Sequence, residues 1–181
     1  HILLVTGESE RKVGMNYFNE IVPIVTEYFA HISMEIQPLE SEEYAQLKSL
    51  GVSSILVYQE TYHKDEYAKH HLKGKKSNFD FRLTTPERVA NAGIDKIGLG
   101  SLFGLADWRA DAIVLASHLR FMEKNHWQSR YSISFPRLRP CEGNEQNQSG
   151  MNEKQLLQLI CAFRLFSPTV ELSLSTRETS H

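Results

Sequence analysis

Six short apolar runs, separated by stretches of helical periodicity, restrict this chain to a parallel α/β fold. The runs are Ile2–Val5, Ile32–Ile36, Ile55–Tyr58, Ile97–Leu99, Tyr131–Phe135 and Val170–Leu174. Continuous apolar runs suit strands covered on both faces, and parallel neighbours need a long crossover between them. Each run ends in polar residues. They are Thr6-Gly7-Glu8, Gln37-Pro38, Gln59-Glu60-Thr61-Tyr62-His63, Gly100-Ser101, Arg137 with Arg139, and Ser175-Thr176-Arg177-Glu178. A parallel barrel gathers its strand C-termini on one face, where such enzymes do their chemistry. The expected fold is therefore a partial (β/α) TIM-type barrel of about six parallel strands with outer helices. An open doubly wound sheet is the competing topology. Its glycine fingerprint belongs after the first strand, and Thr6-Gly7-Glu8 is not that pattern.

The intervening helices are legible from spacing and caps. Tyr17, Phe18, Ile21, Ile24, Val25 and Phe29 predict a helix over Val13–Phe29, interrupted by Pro23. Ser41 with Glu42 and Glu43 opens another, and Gly51 stops it. Lys64–Leu72 is expected to be a short helix and Gly74–Phe81 a basic, mobile loop. Thr84-Thr85-Pro86-Glu87 starts a helix that Gly93 closes, while Asp111–His126 and Met151–Phe166 are amphipathic helices. Glu142–Gly150, the most polar stretch, reads as a flexible loop.

Bulk properties narrow the classes of function. At 181 residues one domain with a substantial core is expected. A formal charge of −2 provides no field for nucleic acid or an anionic membrane, and no apolar run reaches the ~20 residues that span a bilayer. Cys141 and Cys161 are too few for a disulfide framework and fit no metal-binding spacing, which points to a reducing, cytoplasmic setting. The chain starts one residue before a strand and ends just after another, whereas a closed eight-fold barrel takes about 250 residues. The expectation is a single-domain piece of a longer barrel. Its exposed first strand would then favour self-association.

The cluster Gln59–His63 carries the most chemistry. Glu60 or His63 suits general acid–base work, and the same groups suit hydrogen bonding to a ribose or an amino acid. The alternative is a satisfied strand end in which His63 caps the next helix. Gly98-Leu99-Gly100-Ser101 with Gly104 permits close approach of a flat ring, or serves backbone conformation only. Asp107 reads as an N-cap and Trp108 as a packed side chain. Arg137, Arg139 and Arg177 are forks suited to a carboxylate, although any one arginine is commonly an ion-pair partner. Glu8 suits an ammonium group. His70 and His71, beside Lys69 and Lys73, read as a solvated or phosphate-contacting loop rather than a metal site. Cys141 reads as an inert loop thiol.

Several blocks combine into a resemblance. They are Leu3–Glu8 (LLVTGE), Val13-Gly14-Met15, Gln37-Pro38-Leu39, Val57–His63 (VYQETYH) and Lys73–Lys76 (KGKK). Ala92–Leu105 (AGIDKIGLGSLFGL), Trp127–Cys141 (WQSRYSISFPRLRPC), Leu159–Phe166 and Glu171–Glu178 (ELSLSTRE) complete the set. On these residues, nearly the whole chain resembles the 2-iminoacetate synthase family. These are the tyrosine lyases of anaerobic thiamine biosynthesis, in the radical S-adenosylmethionine superfamily. The hydrogenase-cofactor tyrosine lyases are a close relative with similar QETYH and GLF-like segments.

The resemblance implies a (β/α) barrel holding a [4Fe–4S] cluster and S-adenosylmethionine. The cofactor would yield a 5′-deoxyadenosyl radical that breaks the Cα–Cβ bond of L-tyrosine, giving p-cresol and 2-iminoacetate. Thiazole synthase would be the protein partner and a protein such as flavodoxin the reductant. By the same resemblance, Thr6, Gly7 and Glu8 receive the cofactor's methionine amino group, and Gln59 and Glu60 lie near its ribose and methionine parts. Gly98, Gly100 and Ser101 back the adenine. Arg177 holds the substrate carboxylate, with Tyr62, His63 and Arg137 as neighbours. The family's Cys-x3-Cys-x2-Cys loop has no counterpart here, so the cluster ligands, the first strand and the C-terminal part are expected to lie outside this chain. The competing functions are the hydrogenase-maturation lyase, a non-catalytic barrel piece that binds a partner, and an ordinary aldolase or hydrolase barrel using His63 and Glu60 without iron.

Overall fold

A computed structural model describes residues 1–8, 10–140, 150–174 and 178 of the chain. Its centre is one six-stranded sheet in which every neighbouring pair is parallel and the strand order follows the sequence. The strands are β1 (Ile2–Val5), β2 (Ile32–Glu35), β3 (Val52–Leu56), β4 (Lys96–Gly100), β5 (Arg130–Ser134) and β6 (Glu171–Ser173). A doubly wound sheet reverses its order at a switch point. Consecutive order without reversal is the winding of a barrel wall, and the six strands form a half-barrel.

Helices α1 (Glu10–Val13) and α2 (Met15–Thr26) follow β1. The helix expected over Val13–Phe29 is thus divided at Gly14, whose extended backbone (ψ −168°) cannot continue a helix, while α2 runs on through Pro23. Helix α3 (Ser41–Ser49) begins one residue earlier than expected, with Glu40 as its cap and the Glu40 N–H donating to Glu43 Oε2 at 2.8 Å. Helix α4 (Lys64–His70) follows β3. Helices α6 (Thr85–Asn91), α7 (Trp108–Asn125) and α8 (Glu153–Phe166) cover the later strands. Asp107 caps α7 as read from the sequence, its Oδ1 accepting from the N–H groups of Arg109 and Ala110 at 2.8 and 3.3 Å.

Residues 74–81 are not the loop that their lysines suggested. They form a 3₁₀ turn (Lys75–Ser77) and the start of α5 (Phe79–Leu83). Asn78 Oδ1 accepts from the Phe81 N–H at 3.0 Å, the Tyr67 hydroxyl donates to the Lys76 carbonyl at 2.6 Å, and Phe79 meets the Tyr67 ring edge-on at 5.2 Å. Local capping and one aromatic anchor outweigh the high charge of the segment.

Alternation along each strand separates two faces. On the convex face, Ile32, Met34, Ile55, Ile97, Tyr131 and Ile133 are buried with Phe18, Tyr44, Leu47, Val89, Leu115, Leu119, Leu159 and Phe163 of the helices. Each fully buried side chain of this kind stabilises the sandwich by ~1.5–3 kcal/mol. The concave face is different. In register it carries the rows Leu3–Ser33–Ser54–Lys96–Arg130 and Val5–Glu35–Leu56–Gly98–Ser132–Glu171, then Gly100–Ser134–Ser173. A barrel interior that serves only as core is filled with Val, Ile and Leu. Serine, glycine and charged residues here leave a polar, open lumen.

Candidate active site at the C-terminal rim of the lumen

The turns leaving β1 and β3 meet at the C-terminal rim, and α5 joins them. Glu8 follows β1, Glu60 follows β3, and the guanidinium of Arg82 lies between them. Arg82 Nη1 donates to Glu8 Oε1 at 3.0 Å, Nη2 to Glu60 Oε1 at 3.2 Å, and Nε to the Tyr58 carbonyl at 2.7 Å. Lys76 Nζ approaches the same two carboxylates, at 3.3 Å from Glu8 and 2.8 Å from Glu60. The Arg82 side chain is 5% exposed, so this is a buried, charge-assisted fork rather than a surface pair. Burial pushes the Glu8 carboxyl up, but Arg82 and Lys76 outweigh it and hold the group below the usual carboxylate range.

Glu35, on the lumen row beneath, has the opposite balance. Burial, and then the negative charge of Glu60, push its carboxyl up. Tyr58 is pushed to about 12 by burial, with its hydroxyl 2.9 Å from Ser134 Oγ. Its ring lies across β4: a Cβ on Gly100 would sit 2.9 Å from Tyr58 Cδ1 and 3.0 Å from the Ser134 carbonyl oxygen. A Cβ on Gly98 would meet Leu56 Cγ at 2.6 Å. The two glycines thus allow Leu56 and Tyr58 to lie flat across the lumen wall.

Glu60 is the one non-glycine described residue with positive φ, at 75°. Its carbonyl accepts from the Leu102 N–H at 2.7 Å, and its backbone bridges Ser101 in parallel. That left-handed turn ends the strand alternation and sends the Glu60 side chain to Arg82.

Other sequence candidates are brought to the rim but turned elsewhere. The Tyr62 hydroxyl lies 2.8 Å from His118 Nδ1 of α7, and burial pushes Tyr62 far up and His118 down to about 4. His63 caps α4, its Nδ1 accepting from the Glu66 N–H at 3.3 Å, which is the alternative the sequence left open. Arg137 donates Nε to Glu178 Oε1 at 2.9 Å and Nη1 to the Met151 carbonyl at 2.8 Å. Its second bond to Glu178, and that of Arg139, are closer still. Arg137 therefore ties the loop after β5 to the chain beyond β6. The side-chain amide of Gln59 and the hydroxyls of Thr6 and Ser101 are buried without described partners, and Gly7 faces open space. Arg177 and Cys141 lie outside the described residues.

Arg82, Lys76 and Glu35 were not singled out from sequence. Arg82 sits in a stretch whose lysines read as a solvated loop, and Glu35 lies inside an apolar run. The signal for Glu35 was there: a carboxylate inside a strand otherwise covered on both faces requires a polar lumen.

A cavity of about 840 Å³ opens away from this rim, at the N-terminal end of the strands, and is lined by His31, Ser54, Lys96, Arg130 and Glu171 among others. It lies on the face that in barrels serves stability rather than chemistry. The described residues include no group of three or more His, Cys, Asp or Glu that could hold a metal ion. They also include no helix long and apolar enough to cross a membrane.

Comparison with known proteins agrees with this fold. The chain is 59% identical over 180 residues to a 2-iminoacetate synthase of Salmonella typhimurium and 58% identical to that of Escherichia coli. Each match covers 99% of the chain and 48% of the relative, so the chain spans about half the length of these curated relatives. The fold matches the crystal structure of the FeFe-hydrogenase maturase HydG from Carboxydothermus hydrogenoformans with a TM-score of 0.91 and 32% identity, over 98% of this chain and 42% of that one. The Biotin and Thiamin Synthesis associated domain matches residues 134–181. By sequence along its length and by fold, the chain is similar to about half of the 2-iminoacetate synthases and to the half-barrel of HydG.

Proposed function

We propose that the chain is the cofactor-binding wall of a tyrosine lyase that cleaves the Cα–Cβ bond of L-tyrosine to 2-iminoacetate and p-cresol for the thiazole of thiamine. The observation that carries this reading is the Glu8–Arg82–Glu60 cluster above the Gly98–Gly100 wall. Three carboxylates (Glu8, Glu35, Glu60) and two cations (Lys76, Arg82) converge there. S-adenosylmethionine carries an ammonium, a sulfonium and a carboxylate, so the fit is complementary in sign and in donor type. Glu8 suits the ammonium, Glu60 the ribose hydroxyls, and Arg82 the carboxylate, with the adenine against the flat β4 wall and Thr6, Gln59 and Ser101 beside it. When bound, the cofactor supplies the group that abstracts hydrogen. The protein's part is to orient it and to keep its charges paired away from water.

A [4Fe–4S] cluster does not fit this chain's own donors. It takes cysteine thiolates in the spacing of the Cys-x3-Cys-x2-Cys loop, and the sequence has two cysteines 20 positions apart, of which the described Cys161 is exposed on α8. We place its ligands, with the rest of the barrel, in the part of the longer relatives that this chain does not span, and treat residues 1–181 as one domain. Arg177 is our candidate for the substrate carboxylate. Thiazole synthase as partner, a reductant such as flavodoxin and a cytoplasmic location complete the proposal. The higher identity to the 2-iminoacetate synthases than to HydG favours the thiamine branch. An ordinary aldolase or hydrolase barrel using His63 and Glu60 as acid and base is disfavoured, because His63 Nδ1 is occupied as a helix cap and Glu60 is tied to two cations.

The test is anaerobic turnover by the complete, cluster-reconstituted polypeptide with L-tyrosine and S-adenosylmethionine. Formation of p-cresol with 5′-deoxyadenosine is expected. Cofactor cleavage without p-cresol in the presence of tyrosine would refute the substrate assignment.

A further inference from the structure

We infer that Asp111, buried in the first turns of α7, is the residue that holds the Glu60 turn and so aims the Glu60 carboxylate at the cofactor site. The inference rests on the reading that Glu60 contacts S-adenosylmethionine.

Asp111 is 1% exposed, and a buried carboxylate persists where its hydrogen bonds require it. Both hydrogen bonds of its side chain leave its own helix for the segment after Glu60. Asp111 Oδ1 accepts from the Tyr62 N–H at 2.8 Å and from the Thr61 hydroxyl at 2.9 Å, and Thr61 Oγ1 in turn accepts from the His63 N–H at 3.1 Å. Asp111 Oδ1 and the Thr61 hydroxyl that it holds thus fix three consecutive residues directly downstream of the left-handed residue. Upstream, the Gln59 N–H donates to the Gly100 carbonyl at 3.0 Å; on the downstream side the Glu60 carbonyl accepts from the Leu102 N–H at 2.7 Å. Positive φ at a glutamate survives only where both flanks are pinned. β4 pins the upstream flank, and Asp111 together with the Leu102 N–H pins the downstream one. Without Asp111 the downstream flank keeps only the Leu102 bond, and relaxation to negative φ would carry the side chain away from Arg82. Asp111 touches no reacting group and is a positioning residue. Sequence reading placed it only as the start of a helix.

The arrangement predicts that the acceptor oxygen, not the charge, is what matters. Asp111→Asn keeps an acceptor at the Oδ1 position, whereas Asp111→Ala removes it. The experiment is calorimetric titration of S-adenosylmethionine into the complete polypeptide and its variants, with amide hydrogen exchange at Tyr62 as a local readout. Asp111→Ala is expected to weaken binding roughly tenfold and to speed Tyr62 exchange, and Asp111→Asn to restore both to within about threefold. Thr61→Val removes the hydroxyl link with little change in shape and is expected to weaken binding by about threefold, which keeps the test available if Asp111→Ala does not fold. Wild-type affinity in Asp111→Ala, or in Thr61→Val where Ala does not fold, would overturn the inference, as would an Asn variant no better than Ala. Glu60→Gln is the control for the underlying reading. If it binds the cofactor like wild type, the cofactor assignment of Glu60 fails, whatever Asp111 does.

Discussion

Arg82 Nη1 lies 3.0 Å from Glu8 Oε1, joining residues 74 positions apart in sequence. The contact welds α5 to the turn after β1 and completes a site that neither segment holds alone. Replacing Arg82 by Met removes the buried fork and leaves Glu8 and Glu60 with Lys76 only. The expected cost is about 2–4 kcal/mol by urea denaturation, at the low end of a broken buried pair because Glu8 keeps 27% exposure. Arg82→Lys should recover little, since an ammonium cannot reach both carboxylates and the Tyr58 carbonyl together.

Acid should destabilise the fold through His118. Burial holds its imidazole at about 4 against an ordinary 6.5, so the unfolded chain takes up a proton that the folded chain refuses. A base whose folded value is depressed leaves stability intact above about pH 6.5 and erodes it as pH falls toward 4. The full loss is about 3 kcal/mol at most, less for residual exposure. Stability measured from pH 7 to pH 4.5 should fall in the wild type. The slope should be shallower in His118→Gln, which keeps an acceptor for the Tyr62 hydroxyl.

Neither wall glycine should tolerate a methyl. On Gly98 it meets Leu56 Cγ at 2.6 Å and Leu56 Cβ at 3.1 Å, the root of that side chain rather than its end. A methyl on Gly100 meets the Tyr58 ring, tethered through Ser134, and the Ser134 backbone oxygen, which cannot move alone. Gly98→Ala and Gly100→Ala should each cost about 1–3 kcal/mol, read as shifts in the denaturation midpoint.

Strain at Glu60 gives a fourth expectation. Glu60→Ala and Glu60→Gly remove the same carboxylate, but only glycine adopts a φ of 75° freely. The Gly variant should therefore be about 1 kcal/mol more stable than the Ala variant. Equal stability would mean that the turn relaxes once the side chain is gone.

The half-barrel was legible because its strands are short apolar runs punctuated by helices with plain caps, as at Asp107 and Gly93. The position of the rim was legible for the same reason. Its working partners were harder to read. Arg82 stands in a lysine-rich stretch that resembles a solvated loop until Tyr67 and Asn78 order it. Glu35 reads as one polar residue in a core strand. The roles of Tyr62, His63 and Arg137 depend on which way each side chain leaves the backbone. A single left-handed residue, Glu60, resets that direction, and one-dimensional spacing does not reveal it.

The most direct test of the account is the crystal structure of the complete polypeptide with S-adenosylmethionine bound. The account predicts the ligand at the C-terminal rim, its ammonium, ribose and carboxylate within hydrogen-bond distance of Glu8, Glu60 and Arg82, and its adenine against Gly98–Gly100. Density for the cofactor in the cavity at the opposite end, among Ser54, Lys96, Arg130 and Glu171, would contradict it.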